Sequence, residues 1–485
     1  MGPYARATSV LTMARMVAWA MVRITFAVML LAGMTSPAAA ATSLPYVEGS
    51  LSRPLVPVTS FTSPLDDIAR SQLTAVVTTL ELAEAVGAAL PRATVVGAAD
   101  PVARVRESGE IALLPPEMVE PSVKTLSFEG SYFWDPALDS RRYPLRIRSA
   151  GQIEPRRRTW SLLAAGEIIF GRGVQERIEL KHGGDARSAF TEVRDLVRGA
   201  DLAVATLEAP LSGNHNLWCD SCMRFVGNES YAASLADAGF DVLSLAANHI
   251  GDGGTKGVID TVAALDRNGI GHAGAGANES AARKPAVTQV GRLRVAMLAY
   301  NDVPPESYAA SPTRAGSARL VHDDPTYASL RAEIAAAAGI ADVVMVLAHW
   351  GIEYENAPRP QIVAAAHAMI EAGASVVIGD HPHWVQSVET YRGGYITYGI
   401  GNFVFDQMWS METREGSIQQ LFFDKAKLVA VRIRPTIIED YFRPRLLRSS
   451  EPAYKATLGR IWEHSLFSGR PPLRLDSPPQ RLILR

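Results

Sequence analysis

The stretch 373–406 reads Gly-Ala-Ser-Val-Val-Ile-Gly-Asp-His-Pro-His-Trp-Val-Gln-Ser-Val-Glu-Thr-Tyr and runs on to Tyr-Gly-Ile-Gly-Asn-Phe-Val-Phe-Asp. Ser375 to Ile378 is a short β-branched, apolar run, the pattern of a buried strand. Gly379-Asp380-His381-Pro382-His383 follows at once, which predicts two imidazoles at the carboxyl end of a sheet strand. Open α/β sheets build their sites at that end. Imidazole is the commonest metal ligand and trades protons near neutral pH. A lone H-x-H pair is weak evidence, but four other segments share the strand-then-polar construction.

Working outward, Leu162–Ala165 is a strand pattern ending in Gly166-Glu167, and Leu202–Thr206 one ending in Leu207-Glu208. Phe240–Ala246 ends in Ala247-Asn248-His249, and Val343–Ala348 in His349-Trp350-Gly351. Helices fit between them at 187–199, 229–238, 254–268 and 359–372, with Gly239, Gly269 and Gly373 closing three. The alternation predicts an α/β fold with a largely parallel sheet covered on both faces. Glu167, Glu208, Asn248, His249, His349, His381 and His383 then sit at the ends of different strands of one sheet and converge on one crevice. Carboxylate, amide oxygen and imidazole suit a divalent metal, Mn, Zn or Fe. A carboxylate bridging two ions about 3.5–4 Å apart would clamp a phosphate or carboxyl oxygen and activate water. His249, beside Asn248, is free to act as a general acid. Residues 300–330 read as a loop placed to form a flap, and Ser417–Phe423 and Lys427–Thr436 as antiparallel strands closing the domain.

The chain has 485 residues, room for two or three domains, and a net charge of −2 that makes no case for nucleic acid or an anionic membrane surface. Arg15 and Arg23, the apolar run Ile24–Met34 and Ser36-Pro-Ala-Ala-Ala40 compose a secretory signal peptide over 1–40, most typical if counted from Met13, with an uncleaved anchor as the alternative. Export favours a disulfide between the two cysteines, Cys219 and Cys222. Residues 41–155 form an N-terminal domain with a helix over Pro64–Leu90 and short strands at 93–96, 111–114 and 143–147. Gly109–Pro116 and Val123–Gly130 resemble one lobe of a phosphate-type solute-binding protein; a small α/β or α+β spacer is the alternative. Arg156–Arg158 mark a linker, and 438–485 a C-terminal extension.

Six ordered landmarks carry a more specific resemblance over 160–407, within a domain expected to span 160–437. They are Gly166-Glu-Ile-Ile-Phe-Gly-Arg172, Asp201–Leu211, Phe240–Asp252 with Asn248-His249, His349-Trp-Gly-Ile-Glu-Tyr354, Gly379–His383 and Gly401-Asn-Phe-Val-Phe-Asp406. This text resembles the CapA family of capsule and poly-γ-glutamate synthesis proteins, a branch of the calcineurin-like metallophosphoesterases. The resemblance implies a four-layer αββα sandwich and an exported protein, periplasmic or on the outer face of the cytoplasmic membrane. Its partners would be an anionic surface polymer or its precursor and membrane-bound synthase or export proteins, not nucleic acid. It implies Glu167 as first-metal carboxylate, Glu208 as bridge, and Asn248, His349, His381 and His383 as further ligands. His249, Asn248 and Arg172 become the catalytic candidates, and Arg172, Glu353, Asn402 and Asp406 the candidate substrate contacts. Three departures stand out: Glu167 where the family has Asp, Thr206 where it has Asn, and Ile169 where the phosphoesterase D-x-H pair has His. They leave one metal position short of a ligand, so the expectation spans two ions, one, or none. The functional expectation is a metal-dependent hydrolase or transferase acting on an envelope polymer. Its alternatives are a non-catalytic polymer-binding or assembly factor and a metal-free, epimerase-like acid–base enzyme.

Overall fold

A computed structural model describes residues 46–152, 159–213, 225–303 and 305–467. The expected leader, the Arg156–Arg158 linker and both Cys219 and Cys222 lie outside the described residues. The chain divides into two compact units, Met1–Leu51 with Ala150–Pro155, and Ser52–Ser149 with Arg156–Arg485. The described part of the first, 46–51 and 150–152, is extended strand. All architecture below belongs to the second.

Its N-terminal part is a five-stranded sheet of β1 (Val56–Ser60), β2 (Ala75–Thr79), β3 (Thr94–Ala98), β4 (Ala112–Leu114) and β5 (Val123–Thr125), in the order β3-β2-β4-β1-β5. Helices α1 (Ala83–Ala89) and α2 (Pro101–Ser108) pack on it. The helix expected over Pro64–Leu90 is corrected here: only its last third is helical. Val76-Val77-Thr78-Thr79 is β-branched, and the register with β3 buries Val76, Val77 and Thr78, so strand propensity and packing override the helical spacing.

From β6 (Thr159–Ile168) onward two sheets form. The first takes β6, β7 (Leu202–Leu207), β8 (Val242–Ser244) and β9 (Gly271–Ala273) in parallel. The second is built on β10 (Ala286–Val290), β11 (Leu293–Asn301), β12 (Val343–His349), β13 (Val376–Asp380), β14 (Val388–Tyr391) and β15 (Gly394–Thr397), with β11, β12, β13 and β15 parallel. Strand β16 (Asn402–Val404) returns to the first sheet beside β6. There β17 (Glu415–Asp424), β18 (Lys427–Glu439) and β19 (Arg443–Leu446) complete it antiparallel.

Period-two alternation decides the layers. Leu162, Ala164, Val204 and Val242 of the first sheet share a core with Val295, Met297, Met345 and Ile378 of the second. Their neighbours Leu163, Ala165, Ala203 and Leu243 face the other way, against α3 (Arg172–His182), α4 (Ala232–Ala238) and α5 (Gly254–Arg267). On the far side of the second sheet, Val344 and Val346 pack on α6 (Ala328–Ala338) and α7 (Pro360–Glu371). The expectation of one sheet is thus corrected to two, facing each other. Both sheets are apolar on both faces, a pattern that a single doubly covered sheet would share.

Two further differences appear. β11 lies in the stretch that carried no strand expectation, and the Lys427–Thr436 strand extends through 439 and pairs with β19, so the chain past 437 joins the sheet. Helix α8 (Pro452–Glu463) then packs Leu458 and Ile461 into the inter-sheet core. Leu162, fully buried between the sheets, tests this layering: Leu162→Ala should cost about 2–5 kcal/mol in urea melts. Leu180→Ala, at a side chain 77% exposed on α3, should stay within about 0.5 kcal/mol.

Candidate functional site

Parallel strands of both sheets end on the same side, and their carboxyl ends bring the expected residues together. Glu167 comes from the end of β6, Glu208 follows β7, Asn248 and His249 lie four and five residues past β8, His349 ends β12, and His381 and His383 follow β13. The first four belong to one sheet and the three histidines to the other, so the site is a seam between sheets. Two glycines make room for the crowding. A Cβ on Gly166 would run into the Gly401 carbonyl, and one on Gly379 into the Tyr398 carbonyl and the Trp350 indole.

Glu167 is fully buried. Its Oε1 accepts from the His381 backbone N–H at 2.7 Å, and its Oε2 lies 2.8 Å from His383 Nδ1. His383 Nδ1 also lies 3.0 Å from Asn402 Oδ1, so the Glu167 carboxylate and the Asn402 amide oxygen face the same ring nitrogen. Asn402 is fixed in turn by donating to Gln407 Oε1 and the Thr413 carbonyl. Glu208 is also fully buried, and its oxygens have no hydrogen-bond partner besides the adjacent Glu167 carboxylate. One ligand atom each from Glu167, Glu208 and His383 fit within 4.8 Å of one another. His381 Nδ1 is a third buried polar atom without a partner.

The second group is held by carboxylates. His349 sets Nδ1 2.7 Å from Asp380 Oδ1 and Nε2 3.0 Å from Asn248 Oδ1. Thr206, at the position where Asn was expected, donates its hydroxyl to Asp380 Oδ2. His249 places Nδ1 2.8 Å from Asp252 Oδ2, with its ring 4.1 Å from that of Phe225. Arg172 grips Asp406 through Nε at 3.1 Å and through Nη2, and its guanidinium lies 4.1 Å over the Phe225 ring. Arg172 and Asp406 therefore brace each other at the rim. Glu353, 42% exposed at its side chain, reaches to 3.9 Å from His383 Nε2. Ile169 is fully buried in the helix-side core, so the position of the missing D-x-H imidazole is apolar.

Backbone strain collects at the same place. His381, His383, Arg172 and Tyr354 have φ of 89°, 58°, 49° and 64°. Such a conformation costs about 1–3 kcal/mol for each non-glycine residue and persists where surrounding structure imposes it.

The electrostatics show two carboxyls driven apart. Burial pushes Glu167 upward, but the charge and contact of His383 overcome it and bring the carboxyl down to about 2. Burial and the neighbouring charge of Glu167 push Glu208 well above 4.5. Burial lowers His381 well below 6.5, helped by His349 and His383. His383 is raised despite burial, because Glu167 favours its cation. Burial raises Asp380 against the pull of His349. In the bare site, then, Glu167 is ionised and Glu208 holds a proton, the split expected of two crowded carboxyls.

These directions set a pH dependence. Glu208 and His383 both hold protons more firmly folded than unfolded, so their stabilisation is present at low pH and lost as pH rises through the folded values. His381, lowered by burial, works the opposite way and gains stability as pH rises toward 6.5, so the Glu208 contribution is read from thermal melts in chelator as the difference between wild type and Glu208→Gln over about pH 5 to 8. Glu208→Gln should flatten the part that begins above 4.5, and a slope identical to wild type would contradict this ionisation scheme.

Of the candidate ligands, Glu167, Glu208 and His383 bring ligand atoms within reach of one another, His381 lies beside them with its ring 4.8 Å from that of His349, and His349 and Asn248 bond each other. Two partners were not singled out from sequence, Asp252 and Asp380; each is a carboxylate within three residues of a site imidazole, which is the signal that could have found them.

A family model described as bacterial capsule synthesis protein PGA_cap matches residues 161–407, just over half of the chain. The capsule biosynthesis protein CapA of Bacillus anthracis is 33% identical over 263 residues, 54% of this chain and 63% of that protein. The PGA biosynthesis protein CapA of Bacillus subtilis (strain 168) is 33% identical over 299 residues, 60% of this chain and 76% of that protein. A probable polyglutamine synthesis accessory protein of Mycobacterium tuberculosis (strain ATCC 25618 / H37Rv) is 34% identical over 228 residues, 43% of this chain and 58% of that protein. The match thus spans a little under two thirds of the anthracis protein. Every residue of the site, from Glu167 to Asp406, lies inside the matched segment, and the chain belongs to the family of bacterial capsule synthesis proteins, the CapA family that its motifs resemble.

Proposed function

We propose that this chain is an exported, metal-dependent hydrolase or transferase acting on an envelope polymer of the capsule or poly-glutamate kind, or on its linkage. The observation that carries the reading is Glu208: a fully buried carboxyl whose oxygens have no hydrogen-bond partner other than a second buried carboxylate, that of Glu167. An unpaired buried polar group is costly, and a cation held between the two acids would relieve it. The donor set fits a divalent ion of the Zn, Mn or Fe class. Glu167, Glu208 and His383 would hold one ion, while Asn248, His349 and His381 are the further ligands of the reading. Ile169 cannot contribute, which favours a single ion. The facing sheets with helices outside support assigning the four-layer αββα metallophosphoesterase arrangement. The N-terminal sequence supports a leader over 1–40 and periplasmic or cell-surface placement.

When bound, such an ion supplies Lewis-acid polarisation of a phosphoryl or carbonyl oxygen and an acidified water. The chain's own residues supply the proton handling. Asp252 fixes the Nδ1 proton of His249, leaving Nε2 to deliver a proton to a leaving group. Asp380 orients His349 in the same way. The Phe225 ring and the Arg172–Asp406 pair hold the His249 side of the seam in shape.

The test is to supply the full chain with Mn²⁺, Zn²⁺ or Fe²⁺ and offer phosphodiester substrates beside γ-glutamyl oligomers. Turnover that chelator abolishes and metal restores is the expected result. Binding of polymer without turnover under every metal would replace the enzyme with a polymer-binding factor, a reading that the apolar Ile169 favours.

A further inference from the structure

The family segment ends at residue 407, and a cluster of positive charge lies beyond it on β18. β18 carries Arg432 and Arg434 two residues apart, so both project from one face, with their α-carbons about 6.6–7 Å apart. That face looks toward the N-terminal sheet: Ala430 belongs to the core of that sheet, and the Arg432 guanidinium lies 5.1 Å over the Tyr132 ring. Tyr454 of α8 closes the opposite wall. Arg432 lines two adjoining hollows of about 20 and 170 Å³, and Arg434 lines the larger, the one with room for a small anion.

The charges in this cleft do not balance. Asp66 is the one carboxylate lining it, and it is already engaged: Lys124 Nζ lies 2.8 Å from Oδ1, and the Tyr454 hydroxyl donates to Oδ2 at 2.8 Å. Arg434 donates to Gln420 Oε1 at 3.2 Å, and Arg432 makes no hydrogen bond or ion pair to any described residue. Burial, with the like charge of Arg432, holds the Arg434 guanidinium below its ordinary value. Asp66 is thus the shared counter-charge of Lys124, Arg432 and Arg434, which leaves the cleft with an excess of positive charge, and a planar oxyanion is the group that the guanidinium forks match.

We propose that this cleft between the N-terminal sheet, β18 and α8 is an anion-binding site, taking a carboxylate or phosphate group on Arg432 and Arg434. It uses no residue of the metal seam, so it stands independently of the catalytic reading.

The test is isothermal titration of the full chain with inorganic phosphate in one arm and tricarballylate, a small tricarboxylate, in the other. Saturable binding in at least one arm is expected, weakened at least about tenfold in Arg432→Gln/Arg434→Gln. The charge-matched control Lys284→Gln/Lys455→Gln, at two exposed lysines, should bind as wild type does. The arm that binds tighter identifies the ligand as a phosphate or a carboxylate. Arg432→Lys/Arg434→Lys keeps both charges but loses the fork, and its binding should fall several-fold, which guards against a misfolded glutamine variant. Glu208→Gln should bind the anion as wild type does, separating this site from the metal seam. Equal binding by wild type and the arginine variants, or no saturable binding of either anion, would overturn the proposal.

Discussion

His249→Ala is expected to retain the wild-type metal content and melting curve while losing turnover by about 10²–10⁴-fold, the usual worth of a positioned general acid. The reasoning is local. His249 is 17% exposed at its side chain, and among the described residues the one ionic contact of its ring is to Asp252, which also accepts from the Phe225 backbone N–H at 2.6 Å. Removing the imidazole therefore deletes a proton carrier without opening the core. Asp252→Asn should cost less, about 10–100-fold, because the ring remains and only its tautomer and orientation are released. Its signature is an altered pH–rate profile, which a merely structural role would not produce. Full activity in His249→Ala, on whichever phosphoester or amide the wild type cleaves, would remove this residue from the chemistry.

The second large effect is expected from Glu167→Gln, measured in chelator. Glu167 is the counter-charge of the His383 imidazolium, and both groups are buried. Breaking a buried pair by removing one partner costs about 3–5 kcal/mol, because the other charge is left stranded. His383 can escape by giving up its proton, so the loss should be full near pH 5.5 and should shrink as pH rises toward 8. Denaturant melts of the variant at those two values measure it. A loss independent of pH would mean that His383 is neutral in the folded protein.

Much of the site was legible because catalytic side chains in α/β folds sit where a strand pattern stops. Glu167, Glu208, Asn248, His349, His381 and His383 are each legible as an apolar run followed by a polar residue, and the structure places all six at strand ends on one seam, with Glu167, Glu208 and His383 within ligand reach of one another. The layering was less legible. Leu162, Leu163 and Ala164 are all apolar, and alternation cannot distinguish a strand buried beneath helices on both sides from one sandwiched between helices and a second sheet. β11 was missed because Leu293–Asn301 mixes Ala and Met with its one Val, and its burial comes from β12 rather than from local propensity. Val76–Thr79 failed in the opposite direction, its helical spacing losing to β-branched stiffness and to the β3 register. Asp252 and Asp380 act through an imidazole and not on a ligand atom of their own, so a search for ligands passed over them.

Arg172 illustrates a different limit. The sequence resemblance offers it as a contact for substrate; the structure pairs it with Asp406, with Gly173 N–H adding a bond to the same carboxylate at 3.0 Å. Which partner such a residue takes depends on a loop more than two hundred residues away.

The most direct measurement is the metal content of the purified full chain by plasma mass spectrometry, beside Glu208→Gln and His381→Ala. The account predicts close to one divalent ion per chain in the wild type, and a loss of at least about tenfold in both variants under the same loading conditions. Wild-type protein that stays metal-free after loading with Mn²⁺, Zn²⁺ and Fe²⁺, or variants that retain the ion fully, would contradict it.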